Sequence, residues 1–164
     1  MELAPDARRL FLDAGWRPGR RVAVPAKVPT SHPAHSVLEA FGGLSVGTSG
    51  PGIECASSDI AFAFVDDAEV IPKWNQLLGV TLIGVAECHN RHGQLYVDES
   101  GRCFGTSMVH DAFYFEGHTF GEATERILLG RRARPLLEPD HDSVTLYGDH
   151  YRRGDPRLYR WETS

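Results

Sequence analysis

A chain of 164 residues is long enough for one domain, and at that size roughly 70% of the unfolded surface can be buried without metal or disulfide. The apolar fraction of 41% and charged fraction of 24% are those of a globular protein, and a net charge of −5 argues against nucleic acid as a partner. No apolar run approaches the ~20 residues of a membrane helix and no leader pattern opens the chain, so a cytoplasmic protein with no membrane partner is expected. Three cysteines (Cys55, Cys88, Cys103) cannot all pair, which fits a reducing compartment, and their apolar neighbours make them buried, inert thiols.

In chain order, Pro5 to Ala14 reads as a short helix with Leu10 and Phe11 inward and Gly15 as its stop. Trp16 follows at once and is expected to fold back as a core anchor. RRVAVPAKV is an extended piece confined by its prolines to an edge or a loop. Ser31 to Phe41 is a second helix, capped by Ser31 and stopped by Gly42-Gly43. Leu44 to Val46, Ile53-Glu54 and Ile60 to Val65 are strand candidates, with the turn GTSGPG among them. Asp66 to Leu78 is a third helix with the stripe Val70, Ile71, Trp74, Leu77 and Leu78, weakened at Pro72 and closed by Gly79.

The stretch from Thr81 to Gly130 organises the rest. TLIGVAEC and QLYVDESGRCFGTS supply alternating strands joined at turn-forming residues, and Phe113 to Phe115 adds another. TFGEATERILLG carries a capping box at Thr119 and Glu122, with Ala123, Ile127 and Leu128 as its buried face. After Gly130 the composition shifts toward Arg, Asp, Pro and Tyr. This tail is expected to wrap the domain or extend one strand, with its last dozen residues partly disordered.

Charge is unevenly distributed. No Lys or Arg lies between Val28 and Pro72, where Glu39, Glu54, Asp59, Asp66, Asp67 and Glu69 give −6, leaving +1 for the remainder. Such a region either meets a basic partner or is a solvated face.

Motifs for chemistry are sparse. The glycines from Gly42 to Gly52 match no phosphate loop and have no lysine nearby, so they read as turn glycines. Cys88, His89 and His92 are close in sequence but lack the second ligand pair of a zinc site, and His89 to Gly93 reads as a polar hairpin tip. Cys88 or Cys103 with a distant histidine would be the nucleophile of an enzyme, but no nucleophile signature surrounds either. Arginines interleaved with Tyr151, Tyr159 and Trp161 could stack on single strands, but Asp149, Asp155 and Glu162 dilute them.

Taken in order, Ala14-Gly15-Trp16-Arg17-Pro18-Gly19-Arg20, Phe41-Gly42-Gly43-Leu44, Leu82 to Glu87, Leu95 to Arg102, Gly121-Glu122-Ala123 and Leu128-Leu129-Gly130 resemble the third SUKH family of bacterial immunity proteins. The resemblance covers about residues 7 to 132. It implies an α+β fold, a single domain with a mostly antiparallel sheet flanked by helices. It places an immunity domain at 1–134 and a C-terminal extension, packed or partly disordered, at 135–164. It implies binding and neutralisation of a cognate bacterial toxin, with no catalysis, cofactor or metal. The alternative is an intracellular ligand- or protein-binding module with no toxin partner. Charge and aromatic content put the expected contact surface at Asp66, Asp67, Glu69, Trp74, Tyr114, Phe115 and Glu116, facing a toxin with a basic surface.

Overall fold

Strictly consecutive pairing builds the main sheet of this computed structural model, which describes residues 1–161. Its strands are β1 (Ser45–Val46), β2 (Ile60–Val65), β3 (Ile83–Cys88), β4 (Gly93–Val97), β5 (Cys103–Ser107), β6 (Ala112–Gly117) and β7 (Arg134–Pro135). Every neighbouring pair is antiparallel and the spatial order equals the chain order. Four helices complete an α+β fold: α1 (Pro5–Asp13), α2 (Pro33–Phe41), α3 (Val70–Leu78) and α4 (Phe120–Leu129). A separate hairpin, β8 (Ser143–Leu146) and β9 (Asp149–Arg152), follows.

Side-chain alternation sends the central strands' residues to two different layers. Leu95, Val97 and Cys103 face α1, α2 and α4, in a cluster where the Phe11, Phe41, Phe62 and Phe120 rings meet. Tyr96, Phe104, Phe113 and Phe115 face the opposite way, toward α3, whose Trp74 stacks on Phe113 with ring centres 4.2 Å apart. Tyr114 lies across β5, where a Cβ at Gly105 would come within 2.3 Å of its ring, so that position requires glycine.

Residues 136–161 cover the β6 side of the sheet. Leu146, Tyr151 and Leu158 pack with Ala112 and Tyr114 on one side, and Tyr159 stacks on Phe115 at 4.1 Å on the other. The Tyr159 amide donates to the Pro135 carbonyl (2.8 Å), so the strand edge at β7 is occupied by the chain itself. Residues 153–161, expected to be partly disordered, thus include Leu158 and Tyr159 in packed positions; residues 162–164 lie outside the described residues.

Three local expectations change. The cap of α2 is His32, not Ser31: its Nδ1 accepts from the Ala34 amide at 3.1 Å while Nε2 faces the Thr81 carbonyl. Ile53-Glu54 is not a strand. The amides of Ile53, Glu54 and Cys55 donate to the Leu129 and Gly130 carbonyls and so satisfy the end of α4. Finally, α3 starts at Val70 rather than Asp66, and Asp67, just ahead of it, accepts from the Val70 amide.

Candidate functional site

The start of α3 gathers the acids singled out from sequence. Asp67 Oδ1 accepts from the amides of Glu69 (3.0 Å) and Val70 (2.8 Å), which closes the helix's first turn. Glu69 is exposed and makes no ion pair among the described residues. Asp66 is exposed too, but Lys27 Nζ reaches its Oδ2 at 2.8 Å, which removes much of its net field. Trp74 is buried against Phe113, so it forms wall and floor rather than a displayed ring.

The other expected contact residues need correction. Tyr114, Phe115 and Glu116 are buried on β6, because residues beyond β7 cover both sides of that strand. Tyr114 donates its hydroxyl proton to the Thr106 carbonyl (2.8 Å), and Phe115 is stacked by Tyr159. The chain has filled with its own aromatics the surface that the sequence offered to a partner.

A cleft of about 380 Å³ lies between α3 and the β5–β6 turn. Asp67, Glu69, Asp111 and Glu138 line it with Lys73, whose Nζ is 2.7 Å from Glu138 Oε1. Its floor includes Gln94, Thr106 and Phe113, which are cross-strand neighbours on β4, β5 and β6. Thr106 is buried, with its side chain beside the Tyr96 hydroxyl, which itself donates to Gln94 Oε1. Asp111 sits at the lip with φ 48°, a left-handed conformation that Asp tolerates better than most residues. Nothing in the sequence flags Thr106, Asp111 or Glu138, since three distant segments meet only in the fold.

Glu116 is the most perturbed acid. Burial pushes its carboxyl up to about 8, with the nearby Arg126 guanidinium pulling the other way. Arg126 Nε is 4.0 Å from Oε2 but donates to the Glu116 backbone carbonyl at 2.7 Å, so Oε2 is left without a partner. Cys88 and Cys103 are buried, and desolvation together with Glu116 pushes both thiols up, which removes the thiolate a nucleophile needs.

Among the described residues, one group has metal-ligand proximity: Glu138, Asp140 and His141, with ligand atoms within 4.8 Å of one another. The Lys73 ammonium on Glu138 opposes a cation there. Cys88, His89 and His92 do not form such a group. A separate pocket of about 610 Å³ opens where the N-termini of α1, α2 and α4 approach one another, lined by Leu3, Val37, Val97 and Phe120.

The family model of SUKH-3 immunity proteins matches residues 3–130, from before α1 to the cap of α4. The chain belongs to this family. Neither curated proteins nor solved structures supply a match. As a SUKH-3 immunity protein it carries β7, β8 and β9 beyond the matched stretch, and these are the elements that enclose β6. No helix among the described residues is long and apolar enough to cross a membrane.

Proposed function

We propose that this SUKH-3 immunity protein binds a cognate bacterial toxin and neutralises it by occluding the toxin's active site, without catalysing a reaction. The observation that carries the reading is the family match over residues 3–130. The exposed acids Asp66 and Glu69 at the start of α3 support a basic toxin surface as the complement, with Glu69 contributing more field than the Lys27-paired Asp66. Rim charges of this kind act chiefly on the association rate and its salt dependence.

The test is co-expression with the product of the neighbouring gene. The expected outcome is a complex that survives gel filtration and cells that survive induction of that product. A neighbouring product that neither co-purifies nor harms unprotected cells would remove the reading. A second reading, a module that binds a small apolar ligand, rests on the 610 Å³ pocket at the three helix N-termini. Thermal-shift screening against small molecules separates the two, since only that reading expects stabilisation without a protein partner.

A further inference from the structure

We infer that Glu116 is a pH-sensitive latch for the β8–β9 hairpin: while its carboxyl is neutral the hairpin lies closed on β6, and its ionisation lifts the hairpin while the main sheet stays folded. Such a latch is a property of the chain alone and does not depend on a toxin partner.

The carboxyl is poorly provided for. Glu116 is 3% exposed and its Oε2 is without a hydrogen-bond partner. Arg126, the cation that acts on it, is committed elsewhere. Its Nε donates to the Glu116 carbonyl at 2.7 Å and its Nη1 to the Arg132 carbonyl, which leaves Nε 4.0 Å from Oε2. The other titratable groups around the carboxyl are Cys88 on β3, Cys103 on β5, Tyr114 on β6, Tyr147 in the hairpin turn and Cys55 ahead of β2. Burial first, then Glu116, pushes all five up, so each is neutral near pH 7. Glu54, Asp59, Glu122 and Arg132 are the next charges out, acting on the thiols. No donor thus meets a negative charge at Oε2, and a carboxylate formed there needs water.

The hairpin is the cover with least holding it. Its strands pair only with each other, and among the described residues no main-chain hydrogen bond joins 143–152 to the main sheet. Side chains do the holding: Leu146 and Tyr151 pack with Ala112 and Tyr114, and the Tyr147 hydroxyl accepts from the Ala133 amide at 2.8 Å. The Arg132–Asp149 pair, 2.6 Å apart, is exposed and adds little. Cys55, Tyr114 and Tyr147 also line a cavity of about 230 Å³ beside the hairpin turn, so solvent already stands next to the groups that surround Glu116. By contrast β2 to β6 each pair with a strand on both sides. A segment without a shared ladder opens at lower cost than the sheet it rests on.

Linkage sets the direction. Burial pushes the closed carboxyl up to about 8, so the closed form holds a proton that the opened form releases. Closure is strongest below the ordinary value of 4.5 and weakens as pH rises to about 8.

The test is amide hydrogen exchange of the full chain at pH 6 and pH 8, with exposure times scaled for the intrinsic rate. Protection across 143–152 is expected to fall more than about tenfold between the two, while protection across 83–97 changes far less. Glu116→Gln keeps the size, stays neutral and is expected to abolish that difference; Glu116→Met does the same without a polar atom. Tyr147→Phe removes the hydroxyl that holds the Ala133 amide and is expected to lower hairpin protection equally at both pH values, leaving the ratio intact. Equal loss across 143–152 and 83–97 would mean that the molecule yields as a whole. A ratio that survives both Glu116 variants, or vanishes in Tyr147→Phe, would put the titrating group elsewhere. Any of these results overturns the latch.

Discussion

Two carboxylates are buried among the described residues, and their surroundings could hardly differ more. Asp98 is 0% exposed, at the β4–β5 turn, and all its partners lie within four residues of it. Oδ1 accepts from the Ser100 amide (2.9 Å), the Ser100 hydroxyl (2.7 Å) and the Arg102 amide (2.9 Å), while Oδ2 accepts from Arg102 Nε (2.7 Å). Glu116 is 3% exposed, in mid-sheet, and its charge partner Arg126 belongs to another element and stops 4.0 Å short. A turn delivers donors to its own first residue as a matter of local geometry. A strand residue must wait for tertiary packing to bring a donor, and here packing brings the Cys55, Cys88, Cys103, Tyr114 and Tyr147 groups close enough to feel Glu116 but no ideally placed donor. The lesson is that a buried charge is a stabilising turn element in one case and a pH-dependent weakness in the other.

Removing the satisfied carboxylate should do the most damage. Asp98→Ala removes the acceptor of four hydrogen bonds, leaving the Ser100 and Arg102 donors to turn to solvent, and is expected to cost about 3 kcal/mol in denaturant unfolding. Glu116→Gln should act in the opposite direction. With its folded value near 8 and an ordinary unfolded value, the folded protein holds a proton that the unfolded chain releases. Stability is then predicted to fall as pH rises from about 4.5 to about 8, and Glu116→Gln to flatten that slope and add about 1–3 kcal/mol at pH 8. A wild-type profile with no downward slope across that window would show that Glu116 is ionised and solvated in the folded state. The smallest effect is expected from Ser100→Ala, which removes one of four bonds to Asp98 and should cost about 0.5–1.5 kcal/mol in the same assay. Were Ser100→Ala as damaging as Asp98→Ala, the turn would depend on the hydroxyl rather than on the carboxylate as a hub.

Signals that close within one turn of chain were readable from sequence. Thr119 Oγ1 does accept from the Glu122 amide at 3.2 Å, Glu122 reaches back to the His118 amide at 2.8 Å, and Gly130 ends α4 at φ 69°. The strands β2 and β3 and the turn at Asp98 follow from the same short-range logic. What sequence could not convey is which groups a segment meets later. Ile53-Glu54 is apolar and acidic like a strand, but its amides are consumed by the end of α4. Tyr114 to Glu116 reads as a surface candidate only while the residues after β7 are ignored. The acid-rich run between Val28 and Pro72 is contiguous in the chain, yet Arg21 and Lys27 from outside it sit on Glu39 (3.6 Å) and Asp66 (2.8 Å). The cleft is the converse case, assembled from α3, the β5–β6 turn and Glu138 with no shared sequence pattern.

The consecutive order of the seven strands has a kinetic meaning. When each strand pairs with the next one made, no strand waits for a distant strand and the loop-closure entropy of building the sheet stays small, whereas α1 must wait for α4. Zipping can therefore follow synthesis from β2 to β6, with α3 and α4 added as they emerge. Tyr159, which stacks on Phe115, and Trp161, which meets Trp74 edge-on, follow all the strands in the chain and land on a template already formed. Until they do, the aromatic side of β6 is less covered, and the partly folded chain is at its most adhesive there.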